Sequence, residues 1–257
     1  MRGHCLNFFF CFTMALFAQE KSHYQKLYFE QEGNTMPYRL LLPENYQVTK
    51  DYPLIVILHG SGERGNDNEL QLVHGSYLFE KEAIRKDYPA IVVFPQCASG
   101  SSWINIGVNG EFGNRKFEFY ENAEPTTDML LLEGLIDYMT KEYTVNKKQM
   151  YVGGLSMGGF GTFELVRRNP KMFAAAFPIC GGANPAIAKK LKHVDWWVFH
   201  GEEDKIVPSK YSTQMVEALK EQAIAVKYSL YPNVEHNSWD TAFAEPELLS
   251  WLFSKSK

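Results

Sequence analysis

The sequence predicts an open α/β fold: a mostly parallel sheet with helices on both faces. Three observations carry this. Short, wholly apolar runs recur along the chain, as in 53–58 (Pro-Leu-Ile-Val-Ile-Leu) and 89–95 (Pro-Ala-Ile-Val-Val-Phe-Pro); continuous apolar runs are the mark of strands buried on both faces. Stretches with helical spacing alternate with them, which is the pattern of parallel strands joined by crossover helices. Several runs end in a glycine-rich or polar loop, where an open α/β sheet places its ligand site.

Taken in order, residues 1–18 read as a signal peptide. One positive charge in Met1-Arg2-Gly3-His4 precedes an almost wholly apolar 5–17, and Ala18 stands before Gln19-Glu20 as a cleavage point. The run is too short to span a bilayer, and neither Cys5 nor Cys11 sits in a lipobox-like context. An exported protein is therefore expected, with residues 19–257 forming one domain. A chain of 257 residues can bury a large core. The net charge of -4, with no block of Lys or Arg, argues against nucleic acid or an anionic membrane surface as partner. Oligomeric state is not readable.

Residues 24–31 and 36–42, separated by the turn Glu32-Gly33-Asn34, read as an opening antiparallel hairpin. The strand at 53–58 runs into His59-Gly60-Ser61-Gly62-Glu63-Arg64-Gly65. Residues 66–86 are helical in parts, and 89–95 is the next strand. Residues 96–125 show no clear periodicity but hold Trp103, Phe112, Phe117, Phe119 and Tyr120. A loop this long that is rich in aromatic residues is expected to serve function; it is the candidate wall of a substrate pocket, with Trp103 as its aromatic face. Thr126-Thr127-Asp128 offers N-cap residues for a helix to about 143, with the apolar stripe Leu131, Leu132, Leu135, Ile136 and Met139.

Residues 150–153 form the strand before Gly154-Leu155-Ser156-Met157-Gly158-Gly159, and residues 160–168 form the helix after it, stopping at Asn169-Pro170. Ser156 thus sits in a G-x-S-x-G strand–turn–helix elbow, where glycines relieve the crowding of a sharp turn. Residues 173–179, 196–199 and 226–231 are further strands. Pro208 suits the first turn of a helix to about 223, and a terminal helix is interrupted at Pro246.

A serine hydroxyl needs a base, and the base an orienting group. Beyond later strand ends lie Asp204 and then His236, so that Ser156, Asp204 and His236 can meet at one edge of the sheet. Glu202 and Glu203 are rivals for the acid, but Asp204-Lys205-Ile206-Val207-Pro208 holds Asp204 between strand end and helix. His236 follows both the acid and the final strand. His59 and His200, each directly before a Gly, read instead as loop architecture. An oxyanion hole would combine the N–H of Met157 with that of Ser61, or alternatively Gly62. Glu63 and Arg64 are expected to brace this loop as a local ion pair.

Leu58–Gly65, the Ser156 elbow and Gly201–Pro208 together resemble the α/β-hydrolase superfamily and, more narrowly, secreted serine esterases related to polyhydroxybutyrate depolymerases, feruloyl and acetylxylan esterases and a set called predicted peptidases. The resemblance covers about 24–257. It implies an eight-stranded sheet in the order 1-2-4-3-5-6-7-8 and a Ser156–Asp204–His236 triad; an open, aromatic-lined site favours a small, aryl-bearing or polysaccharide-linked ester over a long-chain triglyceride, and the sequence gives no sign of a metal or organic cofactor. Dienelactone hydrolases of this fold use Cys where this chain has Ser. In the implied strand order Cys97 and Cys180 are three inter-strand spacings apart, roughly 14 Å, beyond the reach of a disulfide, so both thiols are expected to be free. Only residues 181–195 separate strands 6 and 7, which leaves room for a short helix and no lid domain. A serine peptidase of the same fold, or a binding protein on a hydrolase scaffold, are the alternatives.

Overall fold

The computed structural model describes residues 22–257; the expected signal peptide at 1–18 lies outside them. Eight strands form one sheet: β1 (Gln25–Gln31), β2 (Asn34–Leu41), β3 (Tyr52–Leu58), β4 (Ile91–Pro95), β7 (Val145–Leu155), β8 (Ala175–Ile179), β9 (Asp195–Gly201) and β10 (Val226–Tyr231). Two more, β5 (Ile106–Asn109) and β6 (Lys116–Phe119), pair as a separate antiparallel hairpin. The main sheet runs β1-β2-β4-β3-β7-β8-β9-β10. With the hairpin set aside, this is the order the resemblance implies. Only the β1–β2 and β2–β4 pairings are antiparallel.

Two apolar layers explain why the central strands read as unbroken apolar runs. Successive side chains on a strand point to opposite faces. Leu54, Val56 and Leu58 enter the core under α3 (Thr127–Glu142), α4 (Met157–Arg168) and α5 (Lys210–Glu221). Ile55 and Ile57 enter the core under α1 (Ser76–Glu80), α6 (Trp239–Phe243) and α7 (Leu248–Phe253). The adjacent tryptophans on β9 divide likewise: Trp196 stacks on Phe163 of α4 at 4.9 Å, and Trp197 meets Trp251 of α7 edge-on at 5.4 Å. The edge strand β1 covers only one face, and its burial alternates residue by residue.

Residues 66–86, helical in parts by sequence, hold a 3-10 turn and the short helices α1 and α2 (Glu82–Asp87). The chain between β8 and β9 holds only the 3-10 helix Pro185–Leu191, so no lid domain covers the sheet edge. Cys97 and Cys180 are both free and buried. They follow β4 and β8, with β3 and β7 between those strands. Among the described residues, no helix is long and apolar enough to cross a membrane.

The long segment after β4 differs from its reading as irregular loop. Lys116-Phe117-Glu118-Phe119 alternates polar and apolar, and Gly110, at φ +84°, lets the chain reverse close to the Asn114 carbonyl. Four residues a strand is too short a repeat to stand out. The segment is tied to α3 through Thr126, whose Oγ1 accepts from the Met129 N–H at 3.1 Å and donates to the Ser102 carbonyl at 2.7 Å. Thr126→Ala is expected to cost about 1 kcal/mol in urea unfolding. An unchanged midpoint would show that the cap contributes nothing.

Candidate active site

β7 ends at Leu155 and α4 begins at Met157, leaving Ser156 alone to make the turn at φ +53°, ψ -115°. A non-glycine residue held at positive φ is strained, and such strain is retained where the surroundings over-determine it. Here the glycines do so. A Cβ at position 158 would run into the Leu58 carbonyl oxygen, and one at 154 would lie 2.5 Å from the Gly158 carbonyl oxygen. Ser156 N–H donates to the Ile179 carbonyl at 2.9 Å, which continues the β7–β8 pairing to the nucleophile position.

His236, after β10, reaches this turn. Its Nε2 is 3.0 Å from Ser156 Oγ and its Nδ1 is 2.7 Å from Asp204 Oδ2. An ionised carboxylate only accepts, so Nδ1 carries the proton and Nε2 presents its lone pair to the serine hydroxyl. Trp239 meets the imidazole edge-on at 5.3 Å. Asp204 is nearly fully buried. Its Oδ1 accepts from the Ile206 and Val207 N–H groups at 2.8 and 2.9 Å, which is what fixes the turn before Pro208. Burial alone would raise its pKa, but hydrogen bonds from His200 and His236 outweigh that and hold the carboxyl well below the ordinary range.

His200 thus does more than shape a loop. It is fully buried, with Nε2 2.8 Å from the Val207 carbonyl and 3.2 Å from Asp204 Oδ2. Its Nδ1 lies 2.7 Å from Ser212 Oγ, which in turn donates to the Gly181 carbonyl at 2.9 Å. Two imidazoles thus converge on Asp204 Oδ2, while backbone N–H groups hold Oδ1. A His directly before the Gly of the acid's loop is the sequence signal for this.

Ser61 opens a 3-10 turn (Ser61–Glu63) and Met157 opens α4. The first N–H groups of helical turns have no intrahelical partner, and both residues line the cavity beside Ser156. His59 does brace this loop, as its sequence position suggests. Its Nδ1 donates to the Gly60 carbonyl at 2.6 Å while its Nε2 accepts from the Cys97 N–H at 2.9 Å. Glu63 and Arg64 do not pair with each other, contrary to expectation. Arg64 instead donates to the carbonyls of Ser61 and Ser101 at 2.9 and 3.1 Å, and Glu63 turns toward His74 Nε2 at 3.6 Å.

The cavity holds about 540 Å³ and its walls include Ile104, Ile106, Phe117 and Phe160. The long segment after β4 does supply most of one wall, but Trp103 is not part of it. That indole is fully buried beneath the loop after β3, donating to the His59 carbonyl at 3.1 Å and packing against α4 at Gly161. Its neighbours Ser102 and Ile104 face the cavity instead. Phe117, Phe119, Phe160 and Tyr211 form an aromatic cluster with contacts of 5.2 to 5.6 Å, and it fastens the β5–β6 hairpin to α4 and α5.

Among the described residues, Cys180, Asp204 and His236 bring one potential metal-ligand atom each within 4.8 Å of one another. Burial, reinforced by the charge on Asp204, pushes the Cys180 thiol up, and the two other ligand atoms are already spent on each other. This donor set suits the proton relay better than a cation.

Residues 30–246 match the Esterase family. The chain belongs to that family. It is similar to a thermostable esterase of known crystal structure, at 33% identity and a TM-score of 0.82 over 91% of this chain and 64% of the other. It is 26% identical to a bifunctional acetylxylan esterase/xylanase of Neocallimastix patriciarum, over 70% of this chain and 23% of that one. It is also 26% identical to a probable feruloyl esterase C of Aspergillus oryzae, over 68% of this chain and 57% of that one. The chain therefore spans between about a quarter and three-fifths of these two relatives.

One acid-sensitive element lies at His59, where β3 passes into the following loop. Burial, only partly offset by the bond to Gly60, lowers the His59 pKa from 6.5 to about 4. The folded state thus prefers neutral His59. Its contribution to stability is complete above about pH 6.5 and is lost progressively as pH falls from there to about 4, because the unfolded chain takes up the proton first. At pH 5 this amounts to about 2 kcal/mol. Urea unfolding at pH 7.5 and pH 5 should show wild type losing about that much more than His59→Gln between the two conditions; equal losses would overturn this account.

Proposed function

We propose that the protein is a serine carboxylic ester hydrolase working through an acyl-enzyme, and that its substrates are small, aryl-bearing or polysaccharide-linked esters. The observation that carries this is the hydrogen-bonded line Ser156–His236–Asp204 opening onto an apolar cavity of about 540 Å³. Ser156 Oγ attacks the ester carbonyl while His236 Nε2 takes its proton. Asp204 holds the ring in the required tautomer and stabilises the imidazolium. The Ser61 and Met157 N–H groups receive the oxyanion, each worth about a hundred- to a thousandfold in turnover. His236 then returns the proton to the departing alkoxide, and water, deprotonated by the same nitrogen, releases the acid.

The substrate class rests on the cavity walls and on the names of the relatives. Phe117 and Phe160 present ring faces and edges suited to an aryl group, and the absence of a lid over the described sheet edge leaves space for a bulky alcohol. Export with removal of residues 1–18 is part of the same reading, supported by the charge and apolar order of the N-terminus; a mature protein recovered outside the cytoplasm with its N-terminus near Gln19 is expected.

The test compares kcat/KM for p-nitrophenyl acyl esters and peptide p-nitroanilides in wild type and Ser156→Ala. Wild type is expected to cleave short or aryl acyl esters and to lose at least about 10⁴-fold in the variant, with long-chain esters poor. Anilide cleavage at comparable efficiency would move the protein to the peptidases. A folded protein that neither cleaves these esters nor is labelled at Ser156 by a fluorophosphonate would overturn the hydrolase reading.

A further inference from the structure

The cavity beside Ser156 is cationic as well as apolar. Its lining includes two arginines, Arg64 and Arg115, and no acidic residue, although the chain has 30 acidic residues against 26 Lys and Arg. Elsewhere Arg39, Arg167 and Arg168 each pair with a glutamate, while Arg85 bonds to the Leu42 carbonyl. Among the described residues, Arg64 bonds only to the carbonyls of Ser61 and Ser101, and no acid lies within ion-pair distance of Arg115.

The placement of Arg115 follows from strand alternation. Arg115, Phe117 and Phe119 are half-buried, whereas Lys116 and Glu118 between them are exposed. Across the hairpin Val108 stands opposite Phe117 and Gly107 opposite Glu118. Val108, Arg115 and Phe117 therefore share the cavity face, while Glu118 on the strand and Glu111 in the turn are not part of the lining. An enclosure of about 540 Å³ is roughly one Debye length across at physiological salt, about 8 Å, so both guanidiniums act on any anion inside it. Two unmatched cations over an apolar floor are a recognition site for a group that is apolar along its body and anionic at one end.

We propose that the preferred ester carries a carboxylate beyond its scissile carbonyl, held by Arg115 in the field of Arg64, with Ile104, Ile106, Phe117 and Phe160 packing the intervening carbons. This rests on the ester-hydrolase reading and narrows its substrate class. A hemiester of a dicarboxylic acid places the charge on the acyl half; a carboxylated phenol or a uronate places it on the alcohol.

Two matched pairs of probes distinguish these. Mono-p-nitrophenyl glutarate against p-nitrophenyl pentanoate tests the acyl half, and 4-acetoxybenzoate against its methyl ester tests the leaving group. The quantity read is the charged-to-neutral ratio of kcat/KM, compared between wild type and variants so that intrinsic reactivity cancels. In one arm, Arg115→Met is expected to lower that ratio about tenfold, Arg115→Lys to recover most of it, and added salt to shrink it in wild type. Lys116→Met removes a charge from the same hairpin on its outer face and is expected to leave the ratio unchanged. An unchanged ratio in Arg115→Met in both arms, or an equal loss in Lys116→Met, overturns the proposal. If that happens while the neutral esters are cleaved and Ser156→Ala is inactive, the hydrolase reading stands without it. If folded wild type cleaves no member of either pair, both fall together.

Discussion

Everything at the site depends on how closely three pieces of backbone approach at the end of β7. The elbow at Ser156, the start of α4 and the end of β3 meet so tightly that no side chain fits at 154 or 158. That crowding is what makes positive φ at Ser156 the accessible conformation rather than a local accident. It also aims Oγ outward from the sheet edge and opens α4 with a free N–H beside it. The outward Ser156 hydroxyl and the free Met157 N–H are thus two consequences of one packing constraint, the close approach of backbone at positions 154 and 158.

The second constraint is electrostatic. A carboxylate as buried as Asp204 is costly unless its lone pairs are satisfied. Two backbone N–H groups take Oδ1, and two imidazoles converge on Oδ2. The loop following β9 therefore cannot be optimised for the acid alone. Its turn supplies the amides, the strand before it supplies His200, and Ser212 on α5 holds that ring from the far side. Such a network explains why Asp204, not the exposed Glu202 or Glu203, occupies the site: a longer side chain would overshoot the amides of its own turn.

This also explains which parts of the molecule were legible in the sequence. Most of the sheet strands are apolar runs or alternations because the sheet has two cores, although the polar first half of β7, Val145–Gln149, was not legible as strand; the elbow is legible because steric crowding leaves glycine as the only answer at two positions. Ser156, Asp204 and His236 follow from strand ends. What was not legible depends on contacts between segments distant in the chain. Nothing local distinguishes Trp103, sealed under the His59 carbonyl, from its neighbour Ile104, which faces the cavity. The adjacency of Glu63 and Arg64 suggested an ion pair, but in the fold backbone carbonyls from two loops compete for the guanidinium and win on geometry. The β5–β6 hairpin has a period of two over only four residues per strand, too brief to register against the irregular chain around it.

That hairpin marks a division of labour. A two-stranded ribbon is marginal by itself in water, and this one is held by an aromatic cluster and a few bonds: Phe117 N–H to Tyr211 Oη at 2.9 Å, the Asn184 side chain to the Phe119 carbonyl at 3.1 Å, and Gly113 N–H to the Lys205 carbonyl at 3.2 Å. The last joins its tip to the loop that carries Asp204, so wall and relay are positioned against a shared reference. Yet none of its residues bonds to Ser156, Asp204 or His236. The sheet thus positions Ser156, Asp204 and His236, while the short ribbon supplies part of the wall of the cavity beside them. Changing Val108, Arg115 or Phe117 alters the shape and charge of the cavity without disturbing the backbone crowding on which the nucleophile depends.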